Sequence, residues 1–280
     1  MTTRPRQIRH PGPPAAARIT ALPCRAVPLR LTLRAGQSLA AAVPAAMAQA
    51  GFAHGYLRLD GARFAPLSFV TPAPATGDGH AAWYSATHRH LAAQVRYGGL
   101  HLGQRDGAPF VHCHGIWASD LPDTGHMLCE GSILAQDQVV TGWGLAGAGL
   151  VASPDVETGF TLFQPQATDT AASPDACLIT LRPNQDITTA LADFAREQGV
   201  RAARVEGIGS LIGTAFSDSR TIPSYATEFL IVRGRISTGE VALEGVSTGF
   251  DGQGRLGRLA PALNAICVTA EILLLVDPGG

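Results

Sequence analysis

At 280 residues the chain is long enough for one large domain or two ordinary ones, and a 46% apolar composition excludes a disordered protein. The formal net charge is −1 but unevenly placed: eight arginines precede the first acidic residue, Asp60. From there on 13 basic groups face 22 acidic ones, a net of −9, and a body of that sign repels nucleic-acid phosphates.

Five cysteines, Cys24, Cys113, Cys129, Cys177 and Cys267, are odd in number, widely spaced and without a CxxC pair. That argues against a disulfide framework and for a reducing interior. Arg4, Arg6 and Arg9 lead into prolines at 11, 13 and 14 with no apolar run between, so no secretory signal is read. No window approaches the roughly 20 apolar residues that span a bilayer. A soluble cytoplasmic protein is expected.

In chain order, residues 1–25 mix proline, arginine and alanine without periodicity and predict a flexible basic arm, which either meets nucleic acid or an acidic partner or is a solvated tail. The chain then repeats itself. At an offset of 148, Leu31-Thr32-Leu33 falls on Ile179-Thr180-Leu181, Ser38 on Asp186, Gly51 on Gly199 and Gly61 on Gly209. Each copy offers a strand, a helix N-cap (Ser38 or Asp186), a helical run and a glycine where the helix stops. Leu39, Val43, Ala46 and Met47 share the phase of Ile187, Leu191, Phe194 and Ala195, so both helices bury an equivalent face. Pro44 is expected to kink the first helix or delay its start. The first copy carries about twelve extra residues, and TPAPATGDGH (71–80) is expected to be that insertion as an exposed loop. The polar, turn-rich stretch 166–176 predicts the linker. Domains of 26–165 and 177–280 follow, each α+β: a strand, one principal helix, then several strands.

Within the first copy, FVHCHGIWASDLPDTGHM (110–127) carries the chemistry. His112 and His114 sit among strand formers, so both imidazoles face one side and Cys113 faces the core. A turn would return His126 beside them, and three histidines make a zinc-type site with an open fourth position. HxH pairs also occur as plain polar strand faces. His101, in GLHLG on the neighbouring strand, is a possible fourth ligand or a partner behind the ligands, and Cys129 is the nearer sulfur candidate. Asp120, Asp123 and Glu130 are candidate catalytic bases, or turn and surface carboxylates. His88 and His90 form another HxH in THRH, expected on a helix or loop start where it would splay. At the places of His112, His114 and His126 the second copy has Ala242, Glu244 and Arg258, so a metal site belongs to the first copy alone. No GxSxG, P-loop or dinucleotide fingerprint is present.

YGGLHLGQRDGAPFVHCH and DTGHM in the first copy, with VEGIGSLIGTAFS, FLIVRGRIS and VTAEI in the second, resemble a tandem copy of the plant and prokaryote conserved (PPC) domain, known in plants from AT-hook nuclear proteins. The resemblance implies an antiparallel α+β domain, usually trimeric, with a histidine cluster near a subunit boundary that can hold a metal. It implies a homotrimer of six domains here; the three histidines add the expectation of a divalent metal, zinc by donor type, and of a small carboxylate or carbonyl ligand. A nucleic-acid-binding regulator is the alternative. Arg4-Pro5-Arg6 lacks the preceding glycine of an AT-hook core, so that motif is absent.

Overall fold

A computed structural model describes residues 6–118, 123–168 and 173–278. The first half runs β1 (Ile19–Leu33), α1 (Leu39–Gln49), β2 (Gly55–Arg58), β3 (Leu67–Val70), β4 (His88–His90), β5 (Ala93–Arg105), β6 (Ala108–Ala118), β7 (Asp123–Met127) and β8 (Gln138–Ala146). A hairpin, β9 (Ala148–Pro154) and β10 (Thr161–Ala167), follows. The second half runs β11 (Ala176–Leu181), α2 (Ile187–Glu197), β12 (Ala202–Leu211), β13 (Thr227–Ser237), β14 (Glu240–Thr248), β15 (Arg255–Arg258) and β16 (Ile266–Val276).

The halves share one strand order. The first is β1-β8-β2-β5-β6-β7, with β3 and β4 added beyond β7. The second is β11-β16-β12-β13-β14-β15. Every one of these pairings is antiparallel, and the fold is α+β as expected; β9 adds a short parallel pairing to β5. Strand β1 fastens the halves together, because Ile19–Cys24 pair with β11 and Arg25–Leu33 pair with β8.

Both helices start where side-chain caps dictate. Ser38 Oγ accepts from Ala41 N at 3.3 Å and Asp186 Oδ1 from Thr189 N at 2.8 Å, each satisfying a donor that the first helical turn leaves free. α1 buries Leu39, Val43, Ala46 and Met47, and α2 buries Ile187, Leu191, Phe194 and Ala195, the phase anticipated from the sequence. Pro44 lies inside α1, which continues through it. Each half closes its own core, the first around Trp117, Phe64 and Leu100, the second around Phe229, Ile236 and Leu191.

Three expectations need correction. Residues 19–25, assigned to the arm, are the first part of β1. Residues 6–18 are strapped to the body: Asn184 exchanges two hydrogen bonds with the Ile8 backbone, His10 Nε2 meets the Cys267 carbonyl at 2.7 Å, and Arg18 grips Glu157 at 2.7 and 3.0 Å. Prolines cannot donate to a sheet ladder, so side chains hold this segment instead. The insertion 71–80 is exposed over residues 74–79, as expected, but it is not a free loop. Pro72–Ala73 pair with Trp83–Tyr84, the His80 ring packs 4.6 Å from Trp83 and 4.8 Å from Phe160, and Ala75 N donates to the Tyr225 hydroxyl of the second half. Of the expected linker 166–176, residues 166–167 end β10 and Ala176 opens β11, while 169–172 lie outside the described residues.

Candidate metal centre

The side-chain alternation of β6 sends His112 and His114 to one face and Cys113 into the core, where it is fully buried. Antiparallel pairing then brings β7 back with His126 directly opposite His114. Next to that pair Gly115 faces Gly125, and a Cβ at Gly125 would lie 2.3 Å from the Val70 carbonyl oxygen, so glycine lets β7 seat closely between β6 and β3. Donor atoms of His112, His114 and His126 all fall within 4.8 Å of one another. Among the described residues this is the one group of three or more metal-capable side chains so gathered.

Two glutamates from the second half orient the rings. His112 Nδ1 lies 2.7 Å from Glu271 Oε2, which places the ring proton on that side and turns Nε2 inward. His114 Nδ1 donates to the Phe229 carbonyl at 3.0 Å, and its Nε2 also points inward, 3.1 Å from His112 Nε2 and 2.8 Å from Glu228 Oε2. Burial disfavours a charged His114, but the Glu228 carboxylate and the Phe229 carbonyl outweigh it and raise the pKa to about 9. His126 is pushed the other way by burial and by the neighbouring His112 and His114, so it stays neutral with lone pairs free. Its Nδ1 is buried and has no hydrogen-bond partner among the described residues. An orphaned imidazole nitrogen beside two converging Nε2 atoms fits a borderline divalent ion of the zinc type.

The cluster forms the floor of a cavity of about 460 Å³. Phe110, Phe160 and Phe163 give it apolar walls, and Trp83 and Tyr84 bring the insertion over it. Arg105 lines it as well, its guanidinium 5.7 Å over the Phe110 ring.

His101 lies behind the three histidines. It is fully buried, its Nε2 meets the Glu271 carbonyl oxygen at 3.1 Å, its ring packs edge-on against Tyr56, and burial lowers its pKa to about 4. Cys129 is buried in the first core beside Cys113 and does not reach the cluster. Asp123 is spent on His90 at 2.7 Å and Glu130 is exposed; neither lines the cavity, so neither is placed as its base. Asp120 lies outside the described residues. His88 and His90 stand on strand β4, not a helix or loop, and both stack on Phe69. Glu228 and Glu271, which sequence reasoning missed, were each marked by a lone carboxylate inside an otherwise apolar strand, TEFLIV and VTAEILLL.

Residues 168–276 match the family profile of the Plants and Prokaryotes Conserved (PCC) domain. The second half carries a PCC domain. Similar solved structures include a metal-containing protein from Archaeoglobus fulgidus, 16% identical, covering 51% of this chain and 97% of its own with a TM-score of 0.40. A PPC protein from Pyrococcus horikoshii is 13% identical over 50% of this chain and 94% of its own, TM-score 0.39. A conjectural DNA-binding protein from Ralstonia eutropha JMP134 is 14% identical over 48% and 89%, TM-score 0.39. Comparison with curated proteins gave no match. The PCC match lies on the second half, whereas the histidines lie on the first. Among the described residues no helix is long and apolar enough to cross a membrane.

Proposed function

We propose that both halves are PCC-type domains in tandem and that the first holds a divalent metal, zinc by donor type, on His112, His114 and His126, in a pocket that binds or transforms a small carboxylate or carbonyl compound. The convergence of three imidazole donors within 4.8 Å, one of them carrying an orphaned nitrogen, is the observation on which this rests. Bound there, the ion would supply Lewis acidity toward a carbonyl or acidify water toward a pKa of about 7.

The remaining work falls to the protein. Glu271 fixes the His112 ring, and Glu228 lies beside the Nε2 of His114, whose proton is released to solvent when that nitrogen is turned to a ligand. The two carboxylates balance a dication among neutral imidazoles, leaving the pocket without a net charge that would reject an anion. Arg105 is the one guanidinium of the lining and fits a carboxylate head, while the aromatic walls suit an apolar body and exclude water.

Metal analysis of protein purified without a histidine tag tests the reading. Near-stoichiometric zinc, nickel or iron in the wild type, lost in His112→Ala/His114→Ala, is expected; equal metal in both proteins overturns it. We also infer a homotrimer, since the resemblance sets such domains around three-fold axes and two per chain cannot close one ring. Its solution mass would be three times 29.1 kDa. Nucleic-acid binding has less to stand on: Arg18 is committed to Glu157, and the chain from Asp60 onward carries a net of −9.

A further inference from the structure

The corner of the second half that corresponds to the histidine cluster keeps its backbone and changes its chemistry. Glu244 lies opposite Arg258 as His114 lies opposite His126, and Arg235 lies opposite Ala242 as His101 lies opposite His112. Here the corner opens into a cavity of about 560 Å³ lined by Arg58, Arg204, Arg233, Arg235, Arg258 and Glu244. Among the described residues these five guanidinia have three carboxylates at ion-pair distance. Glu206, fully buried beneath, pairs with Arg58 at 2.8 Å and Arg204 at 2.6 Å. Asp277 pairs with Arg235 at 2.8 Å, and Glu244 reaches Arg233 only at 3.8 Å. Arg258 forms no ion pair among the described residues, so the walls carry a surplus of 5 − 3 = 2 positive charges.

Concentrated guanidinium charge is unusual in a body whose net charge is −9 from Asp60 onward, and it repels itself unless an anion sits among it. Several of the forks are also held in place. Arg58 is clamped by Glu206 and by the Val232 carbonyl at 3.2 Å, and Arg204 lies 4.9 Å over the Trp143 ring, which orders both before any ligand arrives.

We propose that this cavity is a binding site for a small phosphoryl dianion, inorganic phosphate or a phosphomonoester. Planar guanidinium forks match tetrahedral phosphate oxygens bidentately, and a doubly charged ligand cancels the surplus. A nucleic-acid backbone fits less well, because Glu244 and Asp277 stand among the arginines and interrupt a basic track.

Calorimetric titration of the full chain with inorganic phosphate at fixed ionic strength tests the site, with glycerol phosphate, succinate and a short DNA duplex as parallel probes. Saturable binding of phosphate and glycerol phosphate is expected, weakened about tenfold or more in Arg258→Ala and in Arg233→Ala. His112→Ala/His114→Ala should bind phosphate as the wild type does, which separates this site from the metal centre. Heat no greater than that from chloride, unchanged affinity in both arginine variants, or duplex or succinate binding tighter than phosphate would each overturn the proposal. A folded-state check by circular dichroism accompanies both arginine variants; their positions are exposed, so loss of fold is not expected.

Discussion

His112 Nδ1 and Glu271 Oε2 lie 2.7 Å apart although 159 positions separate them in the chain. The contact joins the histidine-bearing half to its partner half, so the pocket is finished by a strand that carries no ligand of its own. A carboxylate behind a ligating imidazole raises its basicity and fixes its tautomer. Glu271→Gln preserves shape and removes the charge that raises the basicity. Metal affinity should fall about 10- to 100-fold, read by competition against a chromophoric chelator. A variant that holds metal as tightly as wild type would show that Glu271 merely fills space.

Arg105 should decide the charge of the ligand. Arg105→Met keeps most of the stem packed on Phe110 and removes the guanidinium. With benzoate and benzamide as probes, the variant should bind benzoate about tenfold more weakly and benzamide unchanged, because only the charge-assisted bonds are lost. Equal weakening of both would assign Arg105 to packing.

Much of this was legible in local pattern. The period of two placed His112 and His114 together and Cys113 in the core, and the doubled cap, helix and glycine spacing announced two halves with one order of strands. What was not legible shares a cause: it depends on partners distant in sequence. Glu228 and Glu271 gain their role only when β13 and β16 lie against β6, and an isolated carboxylate in an apolar strand does not say what it faces. Residues 6–18 look unstructured because their bonds go to Asn184, Cys267 and Glu157, more than a hundred positions away. The insertion 71–80 read as an ornament, since nothing local to it shows that Trp83 and Tyr84 come to rest over the histidines.

The metal-free protein should be most stable near pH 6.5. Burial holds His101 neutral in the fold with a pKa of about 4, so the unfolded chain takes up the proton first and stability is lost as pH falls from 6.5 toward 4. His114 is protonated in the fold with a pKa of about 9, so its contribution is complete below 6.5 and is lost as pH rises through 9. His101 and His114 each contribute on the order of 3 kcal/mol to their limbs, and the lowered His126 adds to the acid one. Melting temperatures of chelator-treated protein between about pH 4 and pH 10 should trace a single maximum. Addition of zinc should lift the alkaline limb, because a ligated His114 no longer depends on its proton. A curve that climbs steadily to pH 9 would contradict the Glu228–His114 pairing.

Arg18 should matter to stability rather than to binding. Its guanidinium spans both oxygens of Glu157, which is only 4% exposed, and also reaches the Pro183 carbonyl at 2.7 Å, so it ties the strap to both halves at once. Arg18→Ala leaves a buried carboxylate with the Ala15 amide as its remaining donor, at 3.0 Å. Because Arg18 itself is 30% exposed, water recovers part of the loss, and a cost of about 2 kcal/mol is expected rather than the full penalty of a stranded buried charge. In a chain of this size that lowers the melting temperature by about 5 °C. Deleting residues 1–18 should cost at least as much, since the His10 contact to Cys267 goes with it. Metal content should be unaltered in both, because neither change touches β6 or β7. Were the segment a solvated tail, melting temperature would not move in either protein, and trypsin would cut at Arg9 and Arg18 as fast as in an unfolded peptide.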